Sequence, residues 1–183
     1  MIMSGAQVVR IPGAREVAHQ AALAFGKEKG LPYASHALLP IGIPGIATIA
    51  YELAEQLREL PGTIIAPVGH GSMLLGLLLG LRALCTDKPN PKLPVMVGVQ
   101  PANCAPLAAR WQNEAFTGSR GTSLAEGTQI EKPVHGDEII SLFRPGRDHL
   151  RAVEEDDLRM AITELARMGI YVEPTSAMVW AAL

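Results

Sequence analysis

The stretch Ile64-Ile65-Ala66-Pro67-Val68-Gly69-His70-Gly71-Ser72-Met73-Leu74-Leu75-Gly76 decides how the rest of the chain is read. An apolar run of strand length, Ile64 to Val68, meets a glycine-rich turn at Gly69–Ser72. A second apolar run, Met73 to Leu81, follows with no linker. A strand that turns directly into a helix exposes successive main-chain N–H groups, and the helix start adds a partial charge of about +0.5. A phosphate fits there without lysine or arginine. Gly69 and Gly71 remove side chains that would block close approach, and Ser72 adds a hydroxyl donor.

Rival loops fail on particular residues. A nucleotide-triphosphate P-loop needs Gly-Lys-Ser/Thr, whereas Gly76 is followed by Leu77-Leu78. A dinucleotide fingerprint needs a third glycine and a downstream acid. Here Leu74 stands at the glycine position and the next strand runs into Gln100. The GxSxG elbow of hydrolases is missing from Pro67–Ser72. Ser72 and His70, two residues apart in a turn, make no nucleophile–base pair with a third orienting group. A tight turn with no ligand stays open as the alternative.

Working outward, Gln7–Ile11 is short and β-branched, is closed by Pro12-Gly13, and predicts a strand. Ala14 to Lys29 carries Val17, Ala18, Ala21, Ala22 and Phe25 at helical spacing and stops at Gly30. Pro32–Gly45 predicts a connecting loop with an extended piece at Tyr33–His36. Pro44 opens a second helix with a buried stripe of Ile46, Ile49, Ala50, Leu53, Leu57 and Leu60, ended by Pro61-Gly62. Thr63–Val68 predicts a strand buried on both faces, and a helix runs from Met73 to Cys85. In it, Gly76 and Gly80 spell GxxxG, which predicts close approach to a sheet.

Val95–Val99 is the next strand, with a helix near Ala105–Asn113. Residues 114–135 show no period. His149–Val153 predicts a strand, and Glu154-Glu-Asp-Asp157 opens a helix where carboxylates suit the dipole. Leu158, Ala161, Ile162, Leu165 and Ala166 carry that helix to Gly169. Ile170–Val172 predicts a strand, and Pro174 starts a last helix that reaches Leu183 without a capping signal. Both ends therefore read as cut. Strands alternating with helices predict an α/β layered sheet, mostly parallel.

The chain has 183 residues, 48% of them hydrophobic, which suffices for one domain with a proper core. A net charge of −2 and 4% aromatic residues give no basic or stacking surface for nucleic acid. The longest apolar run, Met73–Leu81, is far short of the roughly 20 residues that span a bilayer. Met1-Ile2-Met3-Ser4 has no signal-peptide pattern, so a cytoplasmic protein is expected, with no nucleic-acid or membrane partner. Cys85 and Cys104 predict two buried thiols. His19, His36, His70, His135 and His149 show no metal-ligand spacing. His135-Gly136-Asp137 reads as a turn, and Glu154–Asp157 as helix capping rather than a metal cluster.

The surroundings of the loop carry a resemblance. Pro67-Val-Gly-His-Gly-Ser-Met-Leu-Leu-Gly76 resembles the phosphate loop of the fold-type II pyridoxal-phosphate enzymes, the group of threonine synthase, threonine dehydratase and tryptophan synthase β. Gly45–Leu57 resembles the helix before the loop strand, and Val97-Gly-Val-Gln-Pro-Ala-Asn-Cys-Ala-Pro106 the strand and turn after it. Leu124-Ala-Glu-Gly127 and Gly169-Ile-Tyr-Val-Glu-Pro-Thr-Ser-Ala177 resemble two further family blocks, in the family's order. The resemblance implies a three-layer αβα architecture like tryptophan synthase β. Residues 1–40 would be a remnant of the small domain and crossover, and residues 41–183 a partial phosphate-binding large domain.

It also implies roles. Gly69, His70, Gly71, Ser72 and Met73 would hold the phosphate of pyridoxal phosphate. Glu173 would lie near the pyridine ring, with capping of the last helix as the other reading. Glu126 would border the active site or be a solvated loop carboxylate. Gln100 and Pro106 stand where related racemases and dehydratases carry metal-binding acids, which favours the threonine synthase type. Such enzymes convert O-phosphohomoserine and water to threonine and phosphate.

The family's Schiff-base lysine belongs to a segment ahead of the part resembled. Lys27, Lys29, Lys88, Lys92 and Lys132 all lie outside its context and read as surface charge, so no catalytic residue is assigned and the chain is expected to be inactive alone. Three readings stay open: a partial threonine-synthase-like or dehydratase-like lyase, a non-catalytic module for a phosphorylated small molecule, and a subunit completed by a lysine-bearing chain. A homo-oligomer is also expected.

Overall fold

Two apolar runs and the alternating segment His149–Val153 form one parallel sheet. In the computed structural model, which describes residues 2–13, 15–39, 41–87 and 92–183, the strands are β1 (Thr63–Pro67), β2 (Val95–Pro101) and β3 (His149–Val153). Their order is β1-β2-β3, with Thr63 opposite Val95 and Val97 opposite His149. Helices α1 (Arg15–Lys29), α2 (Gly42–Leu57) and α3 (Ser72–Leu84) come from the first half of the chain. The second half contributes α4 (Pro106–Trp111), α5 (Gly136–Leu142), α6 (Glu155–Arg167) and α7 (Pro174–Ala181).

The pleat of β2 sorts its side chains between two cores. Met96 joins Leu74, Leu78, Leu81, Leu107, Ile139, Phe143 and Leu150 under α2, α3, α4 and α5. Val97 and Val99 point the other way and pack with Val153, Leu158, Leu165, Ala177 and Met178 of β3, α6 and α7. The result is the expected three-layer αβα arrangement. A buried clamp closes one end of the sheet. Asp148, 1% exposed, accepts from Met96 N at 2.9 Å and is gripped by Arg144, whose Nη2 also reaches Pro94 O at 2.5 Å.

Several expectations are corrected. Gln7–Ile11 forms no strand, because the sheet offers it no neighbour; Val8 and Val9 stay exposed. Ile170–Val172 is not a strand either. Gly169 N donates to Ala166 O and Ile170 N to Leu165 O, a Schellman closure that spends these residues on ending α6 before α7 begins. Gly76 and Gly80 face a helix and not the sheet: a Cβ at Gly80 would sit 2.5 Å from Ala47 O, and one at Gly76 2.6 Å from Ile46 Cγ2.

The α2 stripe shifts accordingly to Ala47 and Ala50, leaving Ile49 and Leu57 exposed, and the helix starts at Gly42 rather than Pro44. On α1, Val17 and Phe25 are exposed instead of buried. β1 is only partly covered, with Thr63 exposed and Ile64 and Ile65 half-buried. The expected helix start Ala14, together with Met1, Pro40 and Lys88, lies outside the described residues. Among those residues no helix is long and apolar enough to cross a membrane. Cys85 and Cys104 are buried free thiols, and burial pushes the Cys104 thiol up despite a Ser119 hydrogen bond.

Candidate functional site

The turn between β1 and α3 is held by its carbonyls. Val68 O receives the Gln100 side-chain Nε2 at 3.4 Å, His70 O receives His135 N at 3.0 Å, and Gly71 O receives Leu75 N at 2.9 Å. In a trans peptide the C=O and N–H of one plane point opposite ways. Gly69 N–H therefore faces away from Gln100, Gly71 N–H away from α5, and Ser72 N–H out of the start of α3. Met73, in the first turn, has no intrahelical acceptor for its N–H. Among the described residues none of these four N–H groups donates to a carbonyl.

Local sequence makes this turn possible. Gly71 precedes α3 with φ 93°, in the left-handed region that favours glycine. A Cβ there would also lie 2.5 Å from Ile139 Cδ1 and 3.3 Å from His135 Cβ. At Gly69 a Cβ would meet Gly127 O at 3.2 Å, so the turn packs directly on the short 3₁₀ turn Glu126–Thr128. Ser72 is 6% exposed, and its Oγ has no hydrogen-bond partner among the described residues. A buried hydroxyl left so is costly unless something completes it. Unpaired N–H groups, a helix start and this hydroxyl form a donor set that fits a phosphate.

The loop opens on a cleft of about 760 Å³ through His70. The far wall is Glu16, His19 and the Tyr33–His36 segment, and the near wall is Ser119, Thr122, Glu126 and 129–132. His36 meets His70 edge-on at 6.1 Å between ring centroids. On the near wall the Ser119 hydroxyl and amide hold the Glu131 carboxyl below its ordinary value.

The predicted site residues gather at one end of the sheet. Gly69, His70, Gly71, Ser72 and Met73 form the turn. Glu126 lies exposed on the cleft wall. Thr175 Oγ1 lies 3.1 Å from where a Cβ of Gly127 would be, so the start of α7 abuts the same turn. Glu173 stands at the N-cap position of α7, where its carbonyl accepts from Ser176 N and Ala177 N at 3.0 Å and its side chain makes no cap hydrogen bond. Lys132 is exposed but lines the cleft, whereas Lys27, Lys29 and Lys92 are exposed elsewhere. His135 stands immediately before α5, and Asp137 pairs with Arg110. Glu155 Oε2 accepts from Leu124 N.

Two contributors were not legible as such. His135 belongs to the start of α5, missed although Asp137, Glu138, Ile139, Ile140 and Phe143 carry a helix-start and i,i+4 signal. In the sequence Gln100 bears only on a dinucleotide's downstream acid and on a metal, not on the turn. It is fully buried, with Oε1 accepting from Leu107 N at 2.8 Å and Ala108 N at 3.2 Å.

The fold agrees with comparison to known proteins. A family model described as pyridoxal-phosphate dependent enzyme matches residues 1–183. The threonine synthase of Methanocaldococcus jannaschii is 27% identical over 178 residues, covering 94% of this chain and 44% of that protein. The L-threonine ammonia-lyase of Thermotoga maritima is 29% identical over 161 residues, covering 86% of this chain and 37% of that protein. The chain thus spans less than half the length of these two curated relatives. Among solved structures, a T.th. threonine deaminase superposes with a TM-score of 0.71 at 26% identity, covering 98% of this chain and 58% of that one.

Proposed function

We propose that this chain, which belongs to the pyridoxal-phosphate dependent enzyme family, grips the cofactor's phosphate at Gly69–Met73 as part of an amino-acid lyase of the threonine synthase type. The observation that carries the reading is the set of main-chain N–H groups turned away from their own carbonyls' partners at the mouth of α3. When bound, pyridoxal phosphate supplies an electron sink for bonds broken at an amino acid's α-carbon.

This chain's residues do the holding. Gly69, Gly71, Ser72 and Met73 N–H and the Ser72 hydroxyl bind the phosphate, and the start of α3 complements its charge. His70 presents its ring to the cleft on the substrate side, Glu126 borders that side, and Glu173 lies toward the pyridine ring. Residues 1–40 act as the small-domain remnant and crossover, and residues 41–183 as the phosphate-binding large domain.

The substrate in this reading is O-phosphohomoserine, converted with water to threonine and phosphate. The Methanocaldococcus relative supports it, as does Gln100 where related dehydratases carry an acid. A threonine ammonia-lyase type is the second reading, favoured by the Thermotoga relative at 29% identity. With no lysine in the family's catalytic context, the 183-residue chain by itself turns nothing over. A lysine-bearing segment or chain completes it, in an assembly with further copies, in the cytoplasm.

Calorimetric titration with inorganic phosphate, pyridoxine 5′-phosphate and pyridoxine tests the cradle. Pyridoxine 5′-phosphate is chosen because it has no aldehyde to react with exposed lysines. Saturable binding of both phosphates and none of pyridoxine is expected. No phosphate binding would remove the basis of the reading, and threonine released from O-phosphohomoserine by the pure chain would refute the claim of inactivity.

A further inference from the structure

We propose that Gln100 is a positioning residue that aims the Gly69 amide at the bound phosphate; this rests on the phosphate-cradle reading above. Gln100 lies near the end of β2 on the same face as Met96 and Gly98, with no exposed surface. Its Oε1 accepts two N–H groups at the start of α4, Leu107 N and Ala108 N. Only the oxygen can accept, so the amide orientation is decided by the network. The Nε2 donor then faces Val68 O at 3.4 Å.

Val68 is pinned on its other side, because Val68 N donates to Val99 O at 2.8 Å. With both bonds made, the Val68–Gly69 peptide plane has one orientation, and Gly69 N–H points away from Gln100. The same side chain therefore caps α4 and sets the first donor of the cradle. All its hydrogen-bond partners are main-chain groups, so it touches no substrate or cofactor atom itself.

Gln100→Glu separates the two jobs. An ionised carboxylate still accepts from Leu107 and Ala108, at a helix start that suits it, but it has no donor for Val68 O and repels that carbonyl. Protonation restores an O–H donor. Binding of inorganic phosphate and pyridoxine 5′-phosphate to the 183-residue chain is measured from pH 8 to pH 5.5, each variant against the unsubstituted chain at the same pH. Gln100→Glu is expected to bind roughly tenfold more weakly at pH 8, with the deficit closing as pH falls. Gln100→Leu is expected to show a deficit that does not close.

A deficit for Gln100→Glu that is absent, or that does not change with pH, overturns the assignment while leaving the cradle standing. Absence of phosphate binding by the unsubstituted chain overturns the cradle and the assignment together. A measurement on the unsubstituted chain guards against a variant that does not fold. The ¹⁵N signals of the Gln100 side-chain NH₂ and the Gly69 amide should shift together on phosphate addition, and a Gln100 signal that stays still counts against the role.

Discussion

Replacing Gly71 by alanine should weaken the fold modestly and the phosphate cradle strongly. Gly71 holds φ 93°, where an L side chain costs about 1–2 kcal/mol. The new methyl would lie 2.5 Å from Ile139 Cδ1, the mobile end of a side chain that can leave its rotamer well at about 0.5–1.5 kcal/mol. The sum, about 1.5–3.5 kcal/mol, predicts a Tm lower by roughly 3–14 °C for a chain of this size. Relief of the strain by a backbone flip would turn Gly71 N–H away from the anion. Losing one hydrogen bond to a charged group, about 1.5–3 kcal/mol, predicts phosphate binding roughly ten- to a hundredfold weaker. Differential scanning fluorimetry and calorimetry read the two effects. Gly146→Ala is the control: its φ is 73° with nothing within 4 Å of the new methyl, so it should lose stability through strain alone and keep its phosphate affinity. A Gly71→Ala variant that melts and binds phosphate like the unsubstituted chain would refute the account of the turn.

Ser72→Ala removes a buried hydroxyl that has no partner among the described residues; the ligand-free chain should gain up to about 1 kcal/mol while phosphate affinity drops several-fold, read by the same pair of measurements. Asp148→Asn should destabilise by about 3 kcal/mol in urea titration, because Arg144 loses its ionic partner. Burial raises the Asp148 carboxyl, but the Arg144 hydrogen bonds and the Met96 and Arg144 amides outweigh it and leave it below its ordinary value. Its contribution is therefore complete above the unfolded-state value of about 3.9 and lost as pH falls through the lower native value. The gap between Asp148→Asn and the unsubstituted chain should narrow below about pH 4, and a gap constant with pH would contradict the ion pair. Gly80→Ala gains about 1 kcal/mol in helix propensity, yet its methyl would sit 2.5 Å from Ala47 O, a main-chain atom that cannot step aside. Overpacking of about 1–3 kcal/mol should win, lowering Tm by a few degrees; a higher Tm would show that α2 and α3 are not in this contact.

Much of the site was legible because it is local. Strand, turn and helix start lie within Ile64–Leu75, and glycine spacing, strand length and the apolar run all act over a few residues. The same holds for the stops at Gly30 and Gly169, where a Schellman closure needs only its own helix. Gln7–Ile11 and Ile170–Val172 misled for the complementary reason. A β-rich pentapeptide becomes a strand only when a neighbour supplies its hydrogen bonds, and propensity cannot say whether one is there. The α5 helix was missed because Gly136–Leu142 is short, its stability coming from Ile139 and Phe143 in a core assembled from distant elements.

Sequence alone established the α/β class, the parallel strands at Thr63, Val95 and His149, the family resemblance and the strand–turn–helix unit at Ile64–Leu75, all carried by residues close together in the chain. Tertiary structure alone decided that Gly76 and Gly80 receive α2, that the Tyr33–His36 segment faces His70 across a cleft, and that Gln100 and His135 hold the carbonyls of the turn. The direction of an N–H depends on what its own peptide's carbonyl meets, and those partners lie 32 residues away for Val68 and 65 for His70, whose carbonyl meets His135. No local pattern encodes a partner at that distance; folding has to bring it there.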